Sequence, residues 1–214
     1  MGDLMLRIKE TYENTITIHK SVFITRIFRV NDTDEVEIIL DDIRKKHWDA
    51  THNCYAYIIG DNAEIQKCSD DGEPQKTAGA PMMDALKKNN VTNILAIVTR
   101  YFGGQLLGAG GLVRAYSSSV SECLRLAEFY EPKMQTRFQL TTSYSGYNSI
   151  IKVLPYVTIE NTSFTAEVII EASCDVDKFD RLSEDLYKYK ISASTLNKLG
   201  DFQVEVKIAD VDNV

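Results

Sequence analysis

The chain has 214 residues, of which 44% are hydrophobic and 26% are charged, and its net charge is −7 at neutral pH. This length is long for one α+β domain and comfortable for two, and the composition is that of a globular protein with a real core. The negative charge opposes non-specific attraction to nucleic acid or anionic lipid, so a nucleic-acid partner would require a local basic patch.

Membrane, export and disulfide signals are not evident in the sequence. No apolar run approaches the roughly 18–20 residues of a membrane span, and residues 1–20 contain no apolar region of a secretory signal. We therefore expect a cytoplasmic protein without membrane contact. Its four cysteines are widely spaced, which favours reduced thiols, no zinc site and no disulfide-linked partner. Cys54 and Cys68 face each other across a predicted hairpin, which leaves their pairing in vitro open.

Alternation between strand and helix patterns marks the first 130 residues. The elements predicted there are, in chain order, a helix over 4–12, a long or bent strand over 15–30, a helix over 36–46, a hairpin over 53–59 and 64–68, a helix over 81–88, a strand over 93–99 and a helix over 112–129. The strand over 93–99 is a continuous apolar run, which is typical of a strand buried on both faces.

The pair Glu131-Pro132 marks the predicted boundary between a first domain, residues 1–130, and a second, residues 131–214. The elements predicted beyond it are a strand over 135–142, a helix over 145–153, strands over 156–161 and 164–172, a helix over 176–187, and strands over 190–195 and 202–208. The β-α-β-β-α-β order is the ferredoxin-like arrangement. The predicted fold class is therefore α+β, with two domains.

The strongest candidate site runs from Arg100 to Arg114. A buried strand ends there, and a helix follows after nine residues that contain five of the chain's 11 glycines. Unpaired backbone N–H groups at a helix N-terminus suit an anion, and the two arginines add contacts to phosphate or carboxylate. The alternative is that the glycines make only a tight turn and a close helix-to-sheet contact, since neither the P-loop nor the dinucleotide fingerprint is present.

Two further clusters precede this segment. His52 near Cys54 suggests a nucleophile, but strand alternation favours Cys54 in the core and His52 as a recognition residue. The acidic residues of 69–74 suit either a Mg²⁺ or acid–base site or a plain turn, and the loop around Thr77 is expected to meet the glycine-rich loop. No HExxH motif exists, the second domain holds no comparable cluster, and we predict no metal and no cofactor.

Five stretches between His52 and Tyr116 resemble the signature of the YigZ/IMPACT family, in its bacterial two-domain form. They are His52–Tyr57, Ser69–Pro74, Thr77–Pro81, Val98–Gly104 and Leu107–Tyr116. Lys76 departs from the pattern, because the family usually has glycine before Thr-Ala-Gly, and it adds charge and bulk beside the site.

This resemblance implies a first domain with the fold of the second domain of ribosomal protein S-five. It implies a ferredoxin-like second domain similar to domain V, the last domain of elongation factor G. It also implies a link to translation, which the eukaryotic relatives regulate through protein partners. The S-five-like fold also hosts small-molecule kinases, so the fold does not decide between these functions.

We favour a translation-linked regulatory binding module that contacts RNA, the ribosome or a regulatory protein through the glycine- and arginine-rich site. One alternative is a phosphotransferase or hydrolase acting on an anionic small molecule, and another is a protein–protein adaptor without a ligand. No catalytic residue is assigned. The candidate binding residues are His52, Asn53, Asp70, Asp71, Glu73, Thr77, Arg100, Tyr101, Phe102, Gly103, Gly104, Gly108, Gly110, Gly111 and Arg114.

Overall fold

The computed structural model describes residues 5–208, which form two compact units. The first unit is discontinuous in sequence, because it contains the chain up to Glu131 and again from Lys207. The second unit comprises Pro132–Val206. The return to the first unit is fixed by the backbone N–H of Ile208, which donates to the carbonyl oxygen of Phe129 at 3.0 Å.

The first unit is an antiparallel five-stranded sheet with helices on both faces. Its elements are β1 (Tyr12–Ile18), β2 (Ser21–Arg29), α1 (Thr33–Lys46), β3 (His52–Ile59), β4 (Ile65–Ser69), α2 (Gly79–Lys88), β5 (Ile94–Tyr101) and α3 (Gly108–Leu124). The strand order is β1-β2-β5-β3-β4, and every neighbouring pair is antiparallel.

Two apolar layers enclose the sheet of the first unit. Leu95 and Ile97 pack in the layer formed by α1, whereas Ala96 and Val98 pack in the layer formed by α2 and α3. Strand β5 is therefore buried on both faces, as its continuous apolar run predicts. The end of this strand places the buried Arg100 at the point where the chain turns towards α3.

Sequence reasoning was wrong about two elements near the start of the chain. Of the predicted helix over 4–12, residue 4 lies outside the described residues and 5–11 form no helix, since Leu6 and Arg7 bridge to Val91 and Tyr130. The predicted strand over 15–30 is two strands, β1 and β2. They are joined by a turn in which His19 and Lys20 have φ angles of +46° and +66°.

The second unit has the ferredoxin-like order β-α-β-β-α-β, which confirms the predicted fold class. Its elements are β6 (Tyr130–Thr142), α4 (Tyr144–Val153), β7 (Thr158–Phe164), β8 (Val168–Asp175), α5 (Val176–Lys188) and β9 (Ala193–Lys207), with strand order β7-β8-β6-β9. β9 is one strand where the sequence predicts two. Within residues 5–208, the helices are too short or too polar to cross a bilayer.

Candidate functional site

Two segments that the sequence singles out meet at one end of the first sheet. His52 at the start of β3 lies opposite Arg100 near the end of β5 in the antiparallel register. The turn after β4 brings Glu73 against Arg100, 27 residues away in the chain. The acidic turn therefore contacts the strand that precedes the glycine-rich segment, whereas the sequence predicts a contact between the loop around Thr77 and the glycine-rich loop.

The centre of the site is a buried ion pair between Arg100 and Glu73. Their side chains are 6% and 3% exposed, and Nη1 of Arg100 donates to Oε1 of Glu73 at 2.5 Å. The hydroxyl of Tyr116 donates to the same oxygen at 2.7 Å, and Nη2 of Arg100 lies 3.4 Å from the hydroxyl of Ser21. Within the described part of the chain, Nε of Arg100 has no acceptor and is sealed from solvent. The charge of Arg100 is thus neutralised inside the protein.

Two aromatic rings lie close to the guanidinium group. The carbon Cζ of Arg100 lies 5.3 Å from the ring centroid of Phe23 and 5.6 Å from that of Phe102, both within the range of a cation–π interaction. Phe102 is 45% exposed, so one of these two rings also forms part of the surface.

His52 faces the second oxygen of Glu73. Its Nδ1 lies 2.8 Å from the backbone carbonyl oxygen of Asp71, and its Nε2 lies 3.8 Å from Oε2 of Glu73. A carbonyl oxygen only accepts, so Nδ1 carries the proton in the neutral imidazole and Nε2 keeps a lone pair. Among residues 5–208, no donor lies within hydrogen-bonding distance of Oε2, and this oxygen is not sealed from solvent.

Asp70 and Asp71 hold the turn together. Oδ1 of Asp70 accepts from the backbone N–H groups of Ala78 and Gly79 at 3.0 and 2.8 Å, and Oδ2 accepts from that of Lys76 at 2.8 Å. Burial raises the pKa of Asp70, but these three hydrogen bonds lower it by more, so the pKa lies below its ordinary value. The carboxylate of Asp71 accepts from the N–H of Asn53 at 2.6 Å.

Cys54 is a core residue rather than a nucleophile. Its thiol is buried and donates to the carbonyl oxygen of Asp70 at 2.9 Å, and its Sγ lies 3.4 Å from the hydroxyl oxygen of Tyr116. Burial raises the pKa values of Cys54 and Tyr116 well above their ordinary ranges, so the thiol stays protonated at neutral pH. Cys68 is exposed and lies opposite Ala56, and both cysteines are free thiols.

The glycine-rich segment is part loop and part helix. Gly103 and Gly104 precede α3, whereas Gly108, Gly110 and Gly111 form its first turn, which no side chain caps. A methyl group at Gly103 would overlap the backbone of Lys20 and Ser21, so this glycine permits a close approach between chain segments. Gly104 and Gly108 have φ angles of +80° and +67° and open space around them.

A cavity of about 350 Å³ lies between the ion pair and the start of α3, and we name it the Glu73 cavity. Its volume is that of a small-ligand pocket. Its polar floor is formed by His52, Glu73 and Arg100, and much of its wall is apolar. The remaining lining residues are Thr51, Gly72, Pro74, Phe102, Leu106, Leu107, Gly108, Ala109 and Leu112.

Not all of the predicted residues line this cavity. Arg114 is exposed and lines a neighbouring cavity of about 240 Å³ together with His19 and Ser118. The hydroxyl of Tyr101 lies 2.9 Å from Nδ1 of His47, which places it in a separate contact. The hydroxyl of Thr77 donates to the carbonyl oxygen of Pro74, and Oδ1 of Asn53 accepts from the hydroxyl of Thr99. Both side chains therefore make hydrogen bonds within the protein.

Sequence reasoning missed several residues of the site. Tyr116 reads as one more apolar residue in the helical stripe of α3, yet its hydroxyl binds Glu73. Leu106, Leu107 and Leu112 form the apolar wall, and Leu106 is 87% exposed. The three leucines that flank the glycines could have indicated this wall, because a loop that contacts only solvent is not expected to contain a cluster of apolar side chains.

Comparison with known proteins agrees with this architecture. Residues 19–124 match the model of the Impact N-terminal domain, so the first unit carries a domain of that class. IMPACT family member YvyE of Bacillus subtilis is 48% identical over 143 residues, which cover 67% of this chain and 66% of YvyE. YigZ of Escherichia coli is 34% identical over 173 residues, which cover 79% of this chain and 85% of YigZ. The chain belongs to the IMPACT family.

The match to YvyE spans just under two thirds of that protein's length. A crystal structure of a hypothetical protein is similar over nearly the whole chain, with a TM-score of 0.59 and 29% identity. The alignment covers 94% of this chain and 99% of that one.

Proposed function

We propose that the chain is a translation-linked regulatory module that binds a partner protein through the Glu73 cavity. The observation that carries this proposal is the combination of a polar floor, an apolar wall and two exposed apolar side chains, Phe102 and Leu106, in the matched family domain. Exposed apolar side chains around a concave site are typical of a protein-interaction surface.

Family membership supports the link to translation. The eukaryotic members of the YigZ/IMPACT family regulate translation through protein partners, and the resemblance of this chain to the family implies a similar link. The match covers residues 19–124, which include the Glu73 cavity with its floor and its apolar wall.

The positions of the basic residues favour a protein partner over RNA. A phosphate contact needs an accessible cation, and the charge of Arg100 is buried against Glu73. Lys45 and Lys46 end α1, which packs on the opposite face of the sheet from α3 and Arg114. These cations therefore form no common patch, and the net charge of −7 adds repulsion.

Site-specific photo-crosslinking tests the proposal. A benzophenone amino acid replaces Phe102 in full-length protein inside cells, and a control chain carries it in place of Ile38, which is 64% exposed on α1. We expect position 102, and not position 38, to capture a translation factor, a ribosomal protein or a regulator of either. Capture of RNA alone, or the same products from both positions, would overturn the proposal.

A further inference from the structure

Two hydrogen-bond acceptors without a donor face the Glu73 cavity. Oε1 of Glu73 already accepts from Arg100 and Tyr116, whereas Oε2 accepts from no described residue although the side chain is only 3% exposed. Nε2 of His52 lies 3.8 Å from this oxygen and keeps its lone pair in the neutral ring, because Nδ1 donates to Asp71. This oxygen is open to solvent and has no donor among the described residues, so a ligand that brings its own hydrogens can donate to it in place of water.

The local charge has the sign that a cation requires. The turn carries three carboxylates, Asp70, Asp71 and Glu73, of which only Glu73 lines the cavity, where it is paired with Arg100. Asp70, Asp71 and the exposed Lys76 lie outside the lining, so the three carboxylates stand against two cations and leave one net negative charge. Nε of Arg100 is sealed from solvent, so it offers nothing to an anion.

We infer that the Glu73 cavity binds a lysine side chain of the partner protein, an inference that rests on the proposed function. The ammonium group donates to Oε2 of Glu73 and to Nε2 of His52, which one nitrogen with several hydrogens can reach together. Its aliphatic stem lies along the apolar wall formed by Phe102, Leu107 and Leu112.

The geometry favours an ammonium over a guanidinium. An arginine binds a carboxylate best through two parallel hydrogen bonds, one to each oxygen. Here Oε1 of Glu73 is already occupied by Arg100 and Tyr116, which leaves one oxygen for the ligand. A compact ammonium needs no second carboxylate oxygen and takes the imidazole nitrogen of His52 instead.

The uncapped N–H groups at the start of α3 can bind the backbone of the ligand. Gly108 and Ala109 line the cavity, and α3 has no side-chain cap on its first N–H groups. Backbone N–H groups at a helix N-terminus attract an oxygen and disfavour a cation. The ligand therefore turns its ammonium to the floor and a backbone carbonyl oxygen to the helix.

Nuclear magnetic resonance titration of the full-length protein tests this inference with small probes. The probes are butylammonium, butylguanidinium, butanol and butyrate, followed by an acetylated and amidated Gly-Lys-Gly peptide and its norleucine analogue. We expect butylammonium to bind about tenfold more tightly than butanol, since a charge-assisted hydrogen bond adds at least that factor. The lysine peptide should bind at least as tightly as butylammonium and far more tightly than its norleucine analogue. The shifts should centre on His52, Gly72 and Gly108.

Matched variants locate the binding. His52→Ala removes one acceptor from a partly exposed position and should weaken butylammonium binding about tenfold. Arg114→Ala, in the neighbouring cavity, should leave it unchanged. Equal binding of butanol and butylammonium, tightest binding of butyrate or butylguanidinium, or no effect of His52→Ala would overturn the inference. Binding of butylammonium without binding of the lysine peptide would overturn the partner lysine as its source.

The titration and the crosslinking experiment test separate hypotheses, the lysine site and the proposed function. If butylammonium and the lysine peptide bind but position 102 captures no translation component, the proposed function is lost and the lysine site stands. If position 102 captures its partner but the cavity shows no preference for an ammonium, the lysine site is lost and the proposed function stands.

Discussion

Glu73 links the interior of the first unit to its surface. One carboxylate oxygen holds Arg100 and Tyr116 inside the protein, and the other faces the Glu73 cavity beside His52. The same side chain therefore stabilises the end of β5 and presents an acceptor to a ligand.

Replacement of Glu73 should show the structural half of this role. Glu73→Gln leaves the buried guanidinium of Arg100 without a counter-charge, which we expect to lower the free energy of unfolding by about 3–5 kcal/mol. Glu37→Gln, at an exposed position on α1, should change it by no more than about 0.5 kcal/mol. Urea denaturation measures both variants, and equal stabilities would contradict the buried pair.

Asp70 should make stability depend on pH. Its folded pKa lies below its ordinary value of 3.8 because three backbone N–H groups outweigh the effect of burial. Its contribution is therefore present above pH 3.8 and is lost as the pH falls through the lower folded-state pKa.

Asp70→Asn removes that contribution. We expect the variant to lose about 1–2 kcal/mol of unfolding free energy at pH 7, with a gap to the wild type that narrows at acid pH. Urea denaturation from pH 7 to below the ordinary pKa measures the gap. A constant difference across this range would contradict the role of the ionised carboxylate.

The residues that form the polar floor of the site could be identified from the sequence, but the charge of the site could not. His52, Glu73 and Arg100 stand in the motifs that carry the family resemblance, so the sequence singled them out as candidates, but it did not show that they meet in space. The charge of the site could not be predicted, because the neutralisation of Arg100 depends on a contact between residues 27 positions apart. Tyr116 was hidden for a similar reason, since a hydroxyl at the end of a buried ring leaves the helical stripe apolar in appearance.

Among the elements, the glycine-rich segment carries the clearest test. Gly103→Ala should destabilise the protein by more than about 2 kcal/mol, because the new methyl group overlaps the backbone of Lys20 and Ser21. Gly110→Ala, inside α3 with only Arg114 near its new methyl group, should stabilise by about 0.5–1 kcal/mol. Thermal denaturation distinguishes them, and a shift of the same sign in both variants would contradict this division of the segment.

The elements that sequence reasoning missed are those fixed by distant partners. The segment before β1 was predicted as a helix, but Leu6 and Arg7 bridge to residues that follow α2 and α3. The turn at His19 and Lys20 was missed because neither residue is typical of a tight hairpin with positive φ angles. By contrast, β3, β4 and β5 followed directly from local alternation and from one apolar run.

At the scale of the molecule, the two units have separate cores, and we expect them to unfold separately. Leu140, 2% exposed in the core of the second unit, packs with Phe138 and Ile170. Leu140→Ala should destabilise that unit by about 2–5 kcal/mol, and Leu199→Ala, at a 54% exposed position, should not. In hydrogen exchange, β8 amides should lose protection while β5 amides keep theirs. Equal loss in both strands would show one cooperative unit.

If both proposals hold, the Glu73 cavity binds the partner protein through a lysine of that partner. The most direct test is crosslinking from position 102 in cell extract with increasing butylammonium, with butanol as the matched control. We predict that butylammonium abolishes capture of the partner and that butanol at the same concentration leaves it intact. Capture that persists when butylammonium saturates the cavity would contradict the claim, because the partner would then bind elsewhere.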